Sequence, residues 1–127
     1  MTKRDIVSYW SISASRDMEI ADELYKSKKY NYCLFFCHLA LEKLLKAIII
    51  KHADKTPPIT HNIVQLLNEA GLSYIKLTKN ELDEISTFNV EARYDVYKRT
   101  LYKKATKEFT TLYFEKIKEF IVWLEKQ

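Results

Sequence analysis

Glycine and proline are scarce in this chain, which has one Gly and two Pro among its 127 residues. β-Sandwiches and doubly wound sheets need many tight turns, so this scarcity favours long helices joined by few loops. A glycine-rich phosphate loop and a dinucleotide fingerprint each need several glycines, and both are excluded in their usual form. The length suits one domain with a real core, and we expect a single domain over residues 1–127.

Cysteine is also rare, since Cys33 and Cys37 are the only two. They lie one helical turn apart in an apolar run, where thiols behave as small hydrophobic groups. Two cysteines at this spacing make no disulfide framework. A metal site would need more ligands at suitable spacing. We therefore expect no metal and no cofactor.

Hydrophobic runs are short, and none reaches the roughly 18 apolar residues of a membrane span. The best run is interrupted by Glu42, Lys43 and Lys46. The opening residues MTKRDIVSYW lack the apolar block of a signal peptide. We therefore expect a cytoplasmic protein with no membrane partner.

Positive charge is concentrated in the last third of the chain. Residues 93–118 contain eight Lys or Arg and three Asp or Glu, a net charge of +5, whereas the whole chain carries +4. Such a surplus favours an anionic partner, such as a nucleotide or RNA. The alternative is a solvated, lysine-rich helix face, which is common on helical proteins.

Apolar periodicity predicts an all-α fold, and we identify five helices in the sequence. We expect them to form an antiparallel up-down bundle of four to five helices. Residues 91–103 remain ambiguous, because they are charged and aromatic with weak periodicity. The apolar stripe of the first helix is predicted at Ile6, Tyr9, Trp10, Ser13, Ile20 and Leu24, and that of the last at Phe109, Leu112, Tyr113, Ile117, Phe120, Ile121 and Leu124. The predicted helices are 3–27, 31–52, 61–70, one from 78 through 88, and 104–126.

Capping residues mark several helix ends. Asn31 is predicted to cap the second helix and Thr60 the third. Thr78 and Glu81 have the spacing of a capping box at the start of the fourth helix. Gly71, the sole glycine, stands where a left-handed residue follows the third helix.

A polar line runs along the otherwise apolar second helix. His38, Glu42 and Lys46 are each four residues apart, so they lie on one helix face. A carboxylate in such a place needs a cationic or hydrogen-bonding partner. Arg93, in the polar segment FNVEARYDVYKR, is the predicted partner of Glu42.

Three segments in order resemble the HEPN domain, a family of higher-eukaryote and prokaryote nucleotide-binding proteins. They are YNYCLFFCHLALEKLLKAIIIK (30–51), THNIVQLL (60–67) and NVEARYDVY (89–97). The resemblance covers nearly the whole chain. It implies an all-α bundle that is commonly a symmetric homodimer. Many small prokaryotic members are paired with a minimal nucleotidyltransferase in toxin–antitoxin modules, and one branch consists of metal-independent RNases.

The RNase branch carries an Arg, then four to six residues, then a His. No histidine stands at the corresponding positions after Arg93 or Arg99, which are Lys98, Arg99, Thr100, Lys104, Ala105 and Thr106. Cleavage of this kind needs a general base, and Lys or Arg does not readily accept a proton at pH 7. The RNase hypothesis is weakened, although a histidine from another helix or subunit could approach.

The candidate binding residues cluster around Arg93. Arg93 is expected to bind a phosphate or to pair with Glu42, and both roles are compatible. Tyr94 and Tyr97 are expected to stack on a base or to pack between helices. Asp95 is expected to bind a ribose hydroxyl or to cap a helix.

Glu42, Lys46 and His61 complete the candidate nucleotide- or phosphate-binding set. The ring of His61, which follows Thr60, is expected to hydrogen-bond the opposing loop in a structural role. His38 is interpreted as a hydrogen-bonded core histidine, and His52 as a cation at the C-terminal end of the second helix. No residue is assigned a catalytic role.

These observations favour a non-catalytic nucleotide- or phosphate-binding module. The resemblance implies that it acts as a homodimer, with a minimal nucleotidyltransferase on a separate chain. The alternatives are a metal-independent RNase toxin with a degenerate motif and a purely structural dimerisation protein.

Overall fold

The computed structural model describes the backbone of residues 1–93 and 95–127 and the side chains of residues 1–89 and 98–127. The described backbone is helical and contains no strand, so the predicted all-α bundle is confirmed. Its helices are α1 (Lys3–Lys26), α2 (Tyr30–Ile48) with a π-helical continuation (Ile49–Ala53), α3 (Ile63–Glu69), α4 (Lys79–Arg93), α5 (Asp95–Lys104) and α6 (Lys107–Glu125).

Helix α2 is the centre of the bundle, because α1, α3, α4, α5 and α6 all pack against it. Leu34, Leu41 and Leu45 are fully buried along its length. Burial on most sides explains why this segment is apolar almost all the way round at its start. None of the helices in the described part of the chain is both long enough and apolar enough to cross a lipid bilayer.

Helix α1 meets α2 through small residues, which corrects the predicted apolar stripe. Ala14, Asp17 and Ala21 are its buried residues. Tyr9, by contrast, keeps 64% of its surface exposed and Ile20 38%. Small side chains let two helix backbones approach closely. The predicted stripe is different because hydrophobic periodicity is dominated by large apolar residues.

A buried ion pair accompanies this close contact. Asp17 lies 2.8 Å from Nζ of Lys43 on α2, and the same Nζ donates to Oγ of Ser13 at 2.7 Å. A buried carboxylate is tolerated when it is paired in this way. At the other end of α1, the hydroxyls of Tyr25 and Thr111 share a hydrogen bond that joins α1 to α6.

The starts of α2 and α3 differ from the predictions. Lys28 adopts a left-handed φ of 61°, so the chain reverses at once and α2 begins after Lys29 rather than with Asn31 as its cap. The cap of α3 is Asn62, whose side chain accepts a hydrogen bond from the Gln65 amide at 3.0 Å. Thr60 lies one step earlier and accepts from the Asn62 amide at 3.1 Å.

Two local predictions are confirmed. Gly71 follows α3 with φ +70°, the left-handed conformation that favours glycine. Thr78 and Glu81 form the capping box of α4, with both reciprocal backbone-to-side-chain hydrogen bonds present at 3.0 and 3.1 Å.

The last third of the chain is more helical than predicted. Helix α4 continues past Phe88 to Arg93, and the ambiguous segment contains α5. Thr106 caps α6 and accepts from the Phe109 amide. On α6, Leu112 keeps 52% of its surface exposed, against the prediction, whereas Phe114 is buried.

Candidate functional site

Glu42 is a buried carboxylate near the middle of α2, with 7% of its surface exposed. Its Oε2 accepts a hydrogen bond from Nζ of Lys46 at 2.8 Å. Its Oε1 accepts one from Nδ1 of His61 at 2.7 Å. Both of its oxygens therefore have a hydrogen-bond donor, which is what a buried carboxylate requires.

The four-residue spacing on α2 explains the contact between Lys46 and Glu42. It places His38, Glu42 and Lys46 on one face, as the sequence predicts. His38 is fully buried and its Nε2 donates to the carbonyl oxygen of His61 at 2.8 Å. Its Nδ1 lies 3.8 Å from Oε1 of Glu42. His38 is thus a hydrogen-bonded core histidine, as interpreted from the sequence.

The loop before α3 supplies the second partner of Glu42, which is His61. His61 is held twice by α2, because its carbonyl binds His38 and its ring binds Glu42. The next residues are fixed as well, since Asn62 caps α3 and the Ile63 amide donates to Oγ of Ser86 on α4. The ring partner of His61 is therefore a helix residue and not the opposing loop that the sequence suggested. A side chain held this way is preorganised.

Electrostatics keep Glu42 ionised at neutral pH. Burial acts to raise the pKa of Glu42, but hydrogen bonds from Lys46 and His61, with the charges of Lys46 and His38, lower it below its ordinary value of 4.5. An ionised carboxylate only accepts hydrogen bonds, so Nδ1 of His61 must be the donor.

The second ring nitrogen of His61 follows from this assignment. No hydrogen bond from the described side chains or backbone engages Nε2, and the side chain keeps 45% of its surface exposed. A neutral imidazole that carries its proton on Nδ1 has an acceptor lone pair on Nε2. This nitrogen can therefore accept a hydrogen bond from a bound molecule.

Trp10 is part of this neighbourhood, which the sequence did not suggest. Nζ of Lys46 lies 5.8 Å from the centroid of the Trp10 ring, within cation–π range. The sequence predicts Trp10 in the apolar stripe of α1, but the residue is only half-buried. Its spacing predicts an apolar position on α1. It does not predict a contact with Lys46, because that contact joins two helices.

The candidate residues around Arg93 lie outside the described side chains. This concerns Arg93, Tyr94, Asp95 and Tyr97, so the predicted pair between Arg93 and Glu42 stays a prediction. What the structure brings together is Glu42, Lys46 and His61, three of the seven candidate residues.

Basic residues after this segment include both ion-paired and solvent-exposed side chains. Several pair with acidic residues: Lys104 lies 3.2 Å from Glu84 and Lys116 lies 3.0 Å from Glu81. On α5, Lys98, Arg99 and Lys103 are exposed. Ion pairs thus neutralise part of the positive surplus in this region.

A groove of about 700 Å³ lies between α1 and α6, with α2 as its floor. Helix α2 contributes Leu44, Ala47 and Ile48, which helical spacing places opposite Glu42. The groove is apolar along Ala14, Met18 and the α6 wall, where Val122 keeps 52% of its surface exposed. This groove and the Glu42 site therefore use different faces of α2.

The two thiols and the third histidine have their own surroundings. Cys33 and Cys37 are buried and unpaired in disulfides, and burial raises the pKa of the Cys37 thiol well above its usual value. Nε2 of His52 lies 2.9 Å from the carbonyl oxygen of Gln127. Within residues 1–89 and 98–127, no three His, Cys, Asp or Glu side chains gather closely enough to hold a metal ion.

Comparison with known proteins gives one family. The family model described as HEPN domain matches residues 7–127, nearly the whole chain. No curated protein matches, and no solved structure matches.

Proposed function

Because the chain belongs to the HEPN domain family, we propose that it is a nucleotide- or phosphate-binding module. In this proposal it acts as a homodimer in the cytoplasm, together with a minimal nucleotidyltransferase on a separate chain, in a toxin–antitoxin type of system. The family supports the general role, and the partner, the dimer and the system are proposals.

The preorganised set of Glu42, Lys46 and His61 is the observation that carries the binding role. An exposed imidazole lies beside a lysine, and both are oriented by one buried carboxylate. An ammonium group such as that of Lys46 binds phosphate oxygens through charge-assisted hydrogen bonds. Fixing it in advance lowers the entropic cost of binding.

Helix α5 supports a ligand that extends beyond one phosphate. Its exposed Lys98, Arg99 and Lys103 supply positive charge for a polyanion. In this proposal Arg93 contacts phosphate, Tyr94 and Tyr97 stack on bases, and Asp95 binds a ribose hydroxyl.

Binding is tested by titrating the protein with a panel of nucleotides and short single-stranded RNAs, using calorimetry and fluorescence anisotropy. Arg93→Ala and Lys46→Ala are expected to weaken binding about tenfold or more, since each removes a charge-assisted contact. The matched control is Lys79→Ala, because Lys79 is exposed and pairs with Asp83 on the outer face of α4. Failure of the wild type to bind any nucleotide or RNA would contradict the proposal and favour a purely structural dimerisation protein.

The groove between α1 and α6 is the surface we assign to the second copy of the chain. Glu19 and Asp22 border it on α1, whereas Lys118 and Glu125 border it on α6 and Lys51 on the end of α2. A two-fold axis parallel to the groove brings α1 of each copy over α6 of the other. The acidic side of one copy then meets the more basic side of its partner, as an isologous interface requires.

RNA cleavage is the second candidate function, and one observation favours it. The motif positions after Arg93 and Arg99 lack a histidine, but His61 presents an exposed ring nitrogen from another part of the fold. A histidine supplied by a different element is what this hypothesis requires.

A further inference from the structure

We infer that the indole of Trp10 is a stacking platform for a purine base, so that the site beside Glu42 and Lys46 takes a purine nucleotide. The inference rests on the proposed phosphate-binding function and names the ligand class of that site. Lys46 binds the phosphate and Trp10 binds the base. Trp10 is thus a specificity-determining residue on α1, a helix that contributes no other residue to the candidate set.

Trp10 is placed as a ligand contact rather than as a core residue. Its side chain is half-buried. Among the residues that the structure describes, neither the buried core nor the half-buried side chains packed against it include Trp10. The second tryptophan differs, because Trp123 packs against the core and its ring centroid lies 4.9 Å from that of Tyr74. The exposed part of the Trp10 ring is therefore a large aromatic surface that a planar ligand group can cover.

Lys46 connects Trp10 to the buried carboxylate. Its Nζ donates to Oε2 of Glu42 at 2.8 Å and lies 5.8 Å from the centroid of the Trp10 ring. The second distance is at the outer end of the cation–π range, so the ammonium does not cover the ring in close contact. A phosphate bound to this ammonium lies beside the indole, and a base attached to that phosphate through one ribose can reach the ring.

The chemistry of these groups selects a nucleotide over other anions. Lysine recognises phosphate as a point charge, so inorganic phosphate would engage Lys46 and leave the Trp10 ring in water. A planar base stacks on an aromatic side chain through its π-face. Only a molecule that carries both a phosphate and a flat ring engages the two side chains together, and a nucleotide carries both.

The size of the indole favours purines over pyrimidines. Indole and purine are both fused two-ring systems, so a purine covers more of the Trp10 face than a one-ring pyrimidine does. The larger contact removes more apolar surface from water and strengthens binding. The expected order of affinity is therefore purine nucleotide first, pyrimidine nucleotide second and base-free polyphosphate last.

A purely structural role for Trp10 makes a different prediction. The indole would then only shield the ion pair between Lys46 and Glu42 from water. Its loss would weaken every phosphate ligand to the same degree, because the effect would pass through the lysine. A stacking platform affects only ligands that carry a base, and the experiment is designed around this difference.

The first measurement uses the fluorescence of Trp10. Trp123→Phe leaves Trp10 as the only tryptophan of the full chain. This variant is titrated with ATP, with UTP and with inorganic tripolyphosphate, which has no base. ATP is expected to quench the emission, with a midpoint equal to the Kd that calorimetry gives. Tripolyphosphate should bind without comparable quenching.

The second measurement compares affinities by calorimetry. Trp10→Leu is expected to weaken ATP binding about tenfold or more, the usual effect of losing one stacking contact. Tripolyphosphate binding should change by less than about threefold, and the preference for ATP over UTP should disappear. Trp10→Phe keeps a smaller aromatic face and should restore part of the ATP affinity.

Tyr9→Leu is the matched control for these variants. Tyr9 is an aromatic residue on the same helix with 64% of its surface exposed, and helical geometry turns it about 100° away from Trp10. Its loss should leave all three affinities unchanged. Because Trp10 lies outside the core, its variants should melt like wild type.

The outcomes separate this inference from the proposed function. Short adenylate and uridylate strands, titrated in the same way, distinguish a purine nucleotide within RNA from a free one, and purine preference with either supports the inference. ATP binding without quenching of Trp10, a preference for UTP, or equal weakening of ATP and tripolyphosphate in Trp10→Leu overturns the inference and leaves the binding function intact. Absence of any nucleotide or RNA binding by wild type overturns the proposed function itself.

Discussion

Glu42 shows how one buried charge organises its surroundings. Its two oxygens are bound by Lys46, one turn away, and by His61, from a loop 19 residues further along the chain. The need for a partner follows from the sequence, because an ionised carboxylate is not stable in an apolar run without one. Which residue provides it follows from how the loop before α3 folds back onto α2.

Glu42→Ala is expected to destabilise the protein by about 1–3 kcal/mol, because it leaves the Lys46 and His61 donors without their acceptor. Urea unfolding measures the change. Glu119→Ala is the matched control: Glu119 pairs with Lys76 but is exposed, so its loss should cost clearly less than that of Glu42. Equal effects of the two substitutions would mean that Glu42 is not a buried organiser.

The free energy of unfolding should depend on pH through the ionisation of Glu42. Its pKa in the folded state lies below the ordinary value of 4.5, so the folded protein binds this proton more weakly than the unfolded chain. The resulting stabilisation is complete above the unfolded pKa and is lost as pH falls through the folded pKa.

The difference in unfolding free energy between wild type and Glu42→Gln should therefore shrink as the pH is lowered from about 5 to about 3. Urea titrations across this range measure it. Glu81 and Glu119 also have lowered pKa values, but they are present in both proteins and cancel in the comparison. A difference that stays constant across the range would contradict the assignment.

At the scale of elements, the buried face of α1 differs from the one that the sequence predicts. Its large apolar residues have helical spacing, yet the contact with α2 runs along Ala14, Asp17 and Ala21. Asp17 belongs to this face because Lys43 lies 2.8 Å away. Periodicity of hydrophobicity does not detect a face built from two alanines and an ion pair.

Ala21→Leu is expected to destabilise the protein by about 1–3 kcal/mol, since Ala21 is fully buried and a larger side chain would push α1 from α2. Thermal melting and urea unfolding measure the change. Ser8→Leu, the control on the exposed surface of the same helix, should stay within about 0.5 kcal/mol. A neutral Ala21→Leu would show that α1 does not pack closely at this point.

At the scale of the whole molecule, two opposite faces of α2 belong to two different surfaces. One face carries His38, Glu42 and Lys46, and the opposite face forms the floor of the groove between α1 and α6. Ligand binding and self-association therefore use different surfaces in our proposal. A change on one face should leave the other function intact.

Val122→Glu is expected to convert the proposed dimer to a monomer, because it places a charge on an exposed apolar wall of the groove. Light scattering coupled to size exclusion measures the mass. The melting temperature of wild type should rise with protein concentration, and that of the variant should not. Ile75→Glu, on an exposed loop residue outside the groove, is the control and should remain dimeric. A monomeric wild type would exclude the groove as a dimer surface.

The sequence by itself determined the helical class, the capping box at Thr78, the left-handed Gly71 and the alignment of His38, Glu42 and Lys46. All of these depend on residues within a few positions of one another, where backbone geometry alone sets the relation. The same local rules predicted the caps of α2 and α3 a few residues away from their observed positions, because the turns before these helices end elsewhere.

Only the tertiary structure decided the contacts between distant segments. It joined His61 to Glu42, brought Trp10 to Lys46, chose the small-residue face of α1 and opened the groove between α1 and α6. Such contacts depend on how side-chain volumes and buried charges are satisfied together in one packed interior. Spacing along a single helix carries no information about which residue of another element will lie opposite.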